Sequence, residues 1–173
     1  MPRLAEAILD VLQHAGVDTV FGVPGNHNIE LYRYLPDSSI THVTARHEQG
    51  AGFMADGYAR VRGTPGVCFV VTGPGLTNAL TAMGQALADS VPLLVIATVG
   101  DQKSREGRLH ELPDQLSIAA GVSIDAVQPP DPESAISWLQ KALIAHRSER
   151  PGPRYLQIPL SWWHQDIELP QMS

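Results

Sequence analysis

The sequence predicts a three-layer αβα domain around a parallel sheet of six strands. Three observations carry that expectation. Segments with helical spacing alternate with short apolar runs along the whole chain. The runs read as apolar on both faces, as strands do when helices cover both sides of a sheet. Turns rich in glycine and proline punctuate the alternation at the ends of the runs. With 173 residues, 43% of them apolar and 17% charged, the chain is long enough for one well-buried core and too short for two.

The elements follow in order. Leu4, Ala7, Ile8, Val11, Leu12 and Ala15 recur every three or four residues and predict an amphipathic helix stopped by Gly16. Residues 19–23 read as a buried strand closed by Pro24-Gly25-Asn26. A short helix over 29–35 ends at Pro36-Asp37-Ser38, and residues 40–43 form a second strand. Residues 48–62 read as a helix ended by Gly63, and 67–71 as a strand leading into Thr72-Gly73-Pro74-Gly75. A helix over 76–89, with small residues on one side, precedes the apolar strand 93–97. Residues 100–113 are polar, charged and glycine-containing, as a surface loop is. A short helix (114–120), a strand (123–127), a helix (132–147) and a last strand (155–158) complete the pattern. After Pro159 the chain reads as an exit segment, with Trp162 and Trp163 expected to pack against a following domain.

Composition excludes several classes. Twelve Lys and Arg against eighteen Asp and Glu give a net charge of −6, with no basic cluster, which argues against nucleic acid or an anionic membrane as partner. No apolar run reaches the roughly 18 residues of a membrane span. Glu6 and Asp10 interrupt the first apolar pattern, so it does not read as a signal peptide. The single cysteine, Cys68, leaves no intrachain disulfide or Cys-rich zinc site, and a reducing cytoplasm is the expected compartment. His14, His42, His146 and His164 show no metal spacing, and Ala51 breaks the HExxH pattern that His47-Glu48 would begin.

In such sheets ligands sit at the carboxyl ends of strands near a topological switch point, and the sequence gathers its unusual residues there. The helix that opens at Glu48 carries Gly50, Gly52 and Gly57. Each costs about 1 kcal/mol relative to alanine, so close approach of another backbone, within the domain or from a second subunit, is expected. Glu48 itself is either an acid complementing the helix dipole or part of a pocket built by the neighbouring turns. Gly73-Pro74-Gly75-Leu76-Thr77-Asn78 half-matches a phosphate loop. It lacks the lysine of a P-loop, has Asn78 where a dinucleotide fingerprint has its third glycine, and loses a backbone donor at Pro74. The turn suits a flat neutral ring better than a pyrophosphate, and a nucleotide-binding Rossmann reading is disfavoured.

Five motifs then occur in one order: Phe21-Gly22-Val23-Pro24-Gly25, Arg46-His47-Glu48-Gln49-Gly50-Ala51, Ala55-Asp56-Gly57-Tyr58-Ala59-Arg60, Gly73-Pro74-Gly75-Leu76-Thr77-Asn78 and Asp89-Ser90-Val91-Pro92-Leu93. Together with Arg150-Pro151-Gly152-Pro153 and Ile158-Pro159-Leu160, the chain resembles, over about residues 3 to 165, the N-terminal pyrimidine-binding (PYR) domain of thiamine-diphosphate enzymes. The resemblance is to the acetolactate synthase and 2-oxo acid decarboxylase group. It implies the thiamine-diphosphate-binding, flavodoxin-like fold, with residues 1–165 as the PYR domain and 166–173 as the start of a linker to a middle domain.

The resemblance implies roles for particular residues. Glu48 would hydrogen-bond N1′ of the cofactor's aminopyrimidine, favouring the imino tautomer whose 4′ nitrogen removes the thiazolium C2 proton. An apolar pocket around Glu48 would favour its neutral form. Pro24, Gly25, Gly73, Pro74 and Asn78 would line the ring, with Gly25 and Gly73 allowing close approach. In the loop 107–115, Leu109-His110-Glu111 stands where acetolactate synthases show Phe-Gln-Glu. His110 is either solvated or substrate-facing, and the loop looks more like that of a 5-guanidino-2-oxopentanoate decarboxylase. A guanidinium substrate would want a carboxylate, which Glu111 or Asp114 could supply.

Family enzymes hold the diphosphate and its Mg2+ in a C-terminal domain with a Gly-Asp-Gly motif, which this chain does not contain. The resemblance therefore implies a part of a longer or two-subunit enzyme, inactive alone. Its partners would be a 2-oxo acid substrate, a second PYR domain, and the diphosphate domain of another subunit; any FAD would bind elsewhere. An acetolactate-synthase-like carboligase and a non-catalytic binding module with the same fold are the alternatives.

Overall fold

The computed structural model describes residues 1–100, 112 and 114–168. Among the described residues six helices and six strands alternate in the order α1 (Leu4–His14), β1 (Thr19–Gly22), α2 (Ile29–Tyr34), β2 (Thr41–Thr44), α3 (Glu48–Arg62), β3 (Gly66–Val70), α4 (Pro74–Asp89), β4 (Leu93–Val99), α5 (Gln115–Ala120), β5 (Asp125–Val127), α6 (Pro132–Ala145) and β6 (Pro153–Pro159). Short 3₁₀ turns follow α2 (Leu35–Asp37) and β6 (Leu160–Trp162). The strands form one parallel sheet in the order β2-β1-β3-β4-β6-β5. This is the three-layer α/β architecture that the sequence predicts.

The period-two geometry of each strand divides its side chains between two cores. Val67 and Phe69 of β3 join Leu94, Ile96, Leu156 and Ile158 beneath α1, α2 and α6. Cys68 and Val70 join Val95, Ala97 and Tyr155 beneath α3, α4 and α5. The central strands are apolar on both faces, as expected. The edge strand β2 is not: Thr41 and Thr44 are exposed. The other edge strand, β5, is only half-buried.

Local rules set the helix ends. α1 buries Leu4, Ile8, Val11 and Leu12 on one face, and the chain leaves it through Gly16 at φ +83°. Gly63, at φ +68°, closes α3 in the left-handed conformation common after a helix. α4 starts at Pro74, two residues earlier than the apolar pattern indicates, since proline is well suited to the first turn.

The stretch after Pro159 differs from expectation. Trp163 is 1% exposed and lies in the core shared with α1, as does Ile167. Leu4 donates its N–H to the Gln165 carbonyl (3.0 Å), Ile167 donates to the Pro2 carbonyl (3.0 Å), and Arg3 and Asp166 form an antiparallel bridge. Trp163 therefore packs against this domain's own core; Trp162 is half-buried beside it. A single wide apolar ring can anchor a segment that has no periodicity to reveal it.

Candidate functional site

The chain runs outward from β1 to β2 on one side and continues from β3 on the other, so the switch point lies between β1 and β3. Three segments meet at the carboxyl ends there: the turn after β1, the start of α3, and the turn that opens α4.

The first turn is held from within. Asn28, 1% exposed, accepts a hydrogen bond from the Gly25 N–H at 2.8 Å and donates to the Val23 carbonyl at 3.3 Å. Thr98, at the end of β4, donates its hydroxyl to the His27 carbonyl at 2.7 Å. A Cβ on Gly25 would stand 2.7 Å from Cγ1 of Val71, so only glycine fits there without displacement. Pro24 is exposed at the rim.

Glu48 is the first residue of α3. The His47 ring caps the helix, with Nδ1 accepting from the Gln49 N–H at 3.2 Å. α3 is pressed close to its neighbours: a Cβ on Gly52 would lie 2.7 Å from Cβ of Ala82 in α4, and one on Gly66 would lie 2.0 Å from the Ala55 carbonyl oxygen. Ala51, Gly52 and Ala55 thus serve packing inside the domain, whereas Gly50 and Gly57 face open space. Tight α3–α4 contact puts Glu48 within reach of Asn78, whose Nδ2 donates to Glu48 Oε2 at 2.9 Å.

The second turn supplies the opposite wall. Gly73 adopts φ +60° and ψ −111°, a conformation unfavourable for other residues, which makes its glycine a matter of backbone shape. A Cβ on Gly75 would lie 2.6 Å from Cγ2 of Val71 and 3.6 Å from Oε1 of Glu48. Gly73 stands at the N-cap of α4 and has no side chain to cap it; Thr77 bonds the Pro74 carbonyl and Thr72 turns to Gln115. Pro74 lies exposed at the rim of this turn.

Of the residues singled out from the sequence, Glu48 and Asn78 are in direct contact, and Gly25 packs on Val71 beside them. Gly73 and Pro74 lead into the same wall. His110 and Glu111 lie outside the described residues. Asp114 is exposed and accepts from the Ser117 N–H at 3.0 Å as the cap of α5; hydrogen bonding by the Ser117 side chain, together with that backbone bond, holds its carboxyl below the usual range. Sequence reasoning missed Val71, Gly75, Asn28, Thr98 and Gln115. Gly75 was visible as part of a motif, but nothing in spacing or periodicity marks the other four as partners.

The site is half-buried and carries one carboxylate without a cationic partner among the described residues. Oε2 of Glu48 is occupied by Asn78, and Oε1 makes no hydrogen bond among the described residues. Burial, with a further contribution from the Glu48 charge, pushes the Cys68 thiol up to about 12, leaving it an inert core group. A carboxyl oxygen with capacity to spare, beside the Gly75 turn that packs on Val71, fits the edge of a planar heterocycle bearing a ring nitrogen. Among the described residues no cluster of three or more His, Cys, Asp or Glu could hold a metal, and no helix is long and apolar enough to cross a membrane.

The chain is similar to proteins of one family. Residues 2–118, more than half of the chain, match the family of the thiamine pyrophosphate enzyme N-terminal TPP binding domain. The chain is 54% identical over 158 residues to a probable 2-ketoarginine decarboxylase (AruI) of Pseudomonas aeruginosa, a match covering 90% of this chain and 28% of that protein. It is 33% identical over 181 residues to a chloroplastic acetolactate synthase of Arabidopsis thaliana, covering 96% and 26%. With the large subunit of acetolactate synthase isozyme 1 of Escherichia coli it shares 35% over 156 residues, covering 90% and 28%. The chain thus spans about a quarter of the length of these relatives. By the family match and by the arrangement of its sheet, the chain belongs to the thiamine pyrophosphate enzymes, as their N-terminal TPP-binding domain.

Proposed function

We propose that this chain is the aminopyrimidine-binding part of a thiamine-diphosphate-dependent 2-oxo acid decarboxylase whose substrate is 2-ketoarginine (5-guanidino-2-oxopentanoate). The observation that carries the reading is Glu48: a half-buried carboxylate, oriented by Asn78, at the switch point between two glycine-shaped turns. The 54% identity to the probable 2-ketoarginine decarboxylase, against 33–35% to the acetolactate synthases, favours the guanidino acid as substrate.

In this reading Glu48 shares a proton with the N1′ ring nitrogen through its free oxygen, while Asn78 fixes the other oxygen and so the plane of the carboxyl group. Gly25, Gly75 and Val71 form the apolar wall, and Pro24 and Pro74 frame the rim. When bound, the cofactor supplies the electron sink for loss of CO2 from a 2-oxo acid. The diphosphate, its Mg2+, a second PYR domain and the diphosphate domain of another subunit belong to the rest of the enzyme. His110 is the residue of this chain that we assign to the substrate.

Product analysis tests the proposal. The protein carrying this chain is supplied with thiamine diphosphate and either 5-guanidino-2-oxopentanoate or pyruvate. Stoichiometric CO2 and 4-guanidinobutanal are expected from the first. Acetolactate from pyruvate as the faster reaction would instead establish a carboligase. The Glu48→Gln variant is expected to lose at least about 100-fold in kcat, the scale of positioned acid–base groups; undiminished turnover would refute the assigned role.

A further inference from the structure

Gln115 is polar, 2% exposed, and absent from the chemistry derived above. Its side-chain oxygen accepts two hydrogen bonds from the second turn, from the Gly73 N–H at 2.6 Å and the Thr72 hydroxyl at 2.9 Å. Its nitrogen donates to the Tyr155 hydroxyl at 2.7 Å and to the Thr98 carbonyl at 3.2 Å. The orientation of the amide is thereby fixed. Turned over, it would set its NH2 against the Gly73 N–H and its oxygen against the Thr98 carbonyl, which are unfavourable on both sides.

The network continues away from the site. Tyr155 donates to Gln157 Oε1 at 3.0 Å, and Gln157 donates to Gln128 Oε1 at 2.7 Å, just beyond the edge strand β5. Every donor along this line points one way, an arrangement in which neighbouring bonds strengthen one another. Thr98 joins the two turns: its carbonyl receives Gln115, and its hydroxyl holds the His27 carbonyl of the first turn. Both walls around Glu48 are therefore referred to the same pair of residues.

We propose that Gln115, acting with Thr98, is a positioning residue that sets the Gly73 turn and its spacing from the Gly25 turn, and so governs affinity for the aminopyrimidine. The inference rests on the cofactor site proposed above. Gly73 has neither a side chain nor a capping partner of its own to hold φ +60°. Gly75 and Asn78 follow directly from it, so a turn released at Gly73 shifts the wall and the group that orients Glu48.

The test uses the complete protein carrying this chain, with thiamine diphosphate as probe. Its Kd is measured by titration calorimetry, and hydrogen exchange of the Gly73 amide is followed without cofactor. Gln115→Met keeps the bulk and removes the acceptor; it is expected to weaken Kd about tenfold and to speed Gly73 exchange, as loss of a buried partner does. Gln115→Glu still offers an oxygen to Gly73 but sets its second oxygen against the Thr98 carbonyl, and is expected to recover the two only in part. Leu139→Ala, in the opposite core, serves as a destabilised control that leaves both unchanged. If Gln115→Met does not fold, Thr98→Val removes the tie to His27 alone and is expected to weaken Kd about threefold. Folded Gln115→Met or Thr98→Val protein that binds within about twofold of the parent overturns the inference, as does an equal loss in Leu139→Ala. A parent protein that does not bind thiamine diphosphate overturns the cofactor site as well, whereas a parent that binds alongside indifferent variants overturns only the role of Gln115.

Discussion

The two helical layers bury their side of the same sheet with different materials. α1 and α6 present long aliphatic side chains, including Leu4, Ile8, Leu12, Ile136 and Leu139. α3 and α4 present Ala51, Gly52, Ala55, Ala79 and Ala82, and their backbones approach until a single Cβ at Gly52 would collide with Ala82. The first layer removes the larger apolar area per residue, which is where hydrophobic stabilisation accumulates. The second gives up area for proximity, and proximity is what sets Asn78 2.9 Å from Glu48. Stability and placement are thus largely assigned to opposite faces of one sheet.

The contrast can be broken at several places. The largest expected effect on stability is in the aliphatic layer. Leu139→Ala should cost about 2–5 kcal/mol in unfolding free energy, read from denaturant curves, while cofactor affinity stays at its parent value. An accompanying loss of affinity would show that the layers are not separable. Gly52→Val should cost less, about 1–3 kcal/mol from overpacking, yet weaken thiamine diphosphate binding, because it drives α3 from α4. Comparable binding in both variants would contradict the division.

A third variant sharpens the picture inside the small-residue layer. Asn78→Ala removes the bond to Glu48 Oε2 without touching the core, so calorimetry should find affinity reduced by up to about tenfold with the unfolding midpoint nearly fixed. The smallest effect lies at the foot of the aliphatic layer. Glu30 receives two hydrogen bonds from Arg33, at 2.9 and 3.0 Å. That bonding, opposed by burial and aided by the charges of Arg33, His164 and Arg3, holds its carboxyl below the usual range. The stabilisation is complete above the carboxyl's unfolded pKa and disappears as pH falls through its lower folded value. Glu30→Gln should remove this acid-side dependence and cost no more than about 1 kcal/mol at neutral pH, since Arg33 is 64% exposed. An unchanged acid limb of the stability profile would show that the pair contributes nothing.

Legibility from the sequence follows the same division. The order of elements was readable because helix and strand periods are imprinted wherever one face is buried, as at Leu4, Ile8 and Leu12 or along 67–70. Glu48 stood out through the turn motifs at the neighbouring strand ends and through the family resemblance, not through its own spacing. Gln115 did not, because its partners Thr72, Gly73, Thr98 and Tyr155 lie 17 to 43 residues away and hydrogen-bond networks leave no period. The division of small residues between internal contact at Gly52 and open space at Gly57 was equally hidden, since both look alike in one dimension. Trp163 was misread as facing a neighbouring domain because an anchoring ring in an aperiodic segment gives no sign of which core it enters.

The pairing of residues 2–4 with 165–167 brings the two tails of the fold side by side. A short peptide running from residue 168 to residue 1 would close these described residues into a ring with little distortion. Cutting that ring in the exposed stretch 147–150 would give a circular permutant with its secondary-structure elements intact.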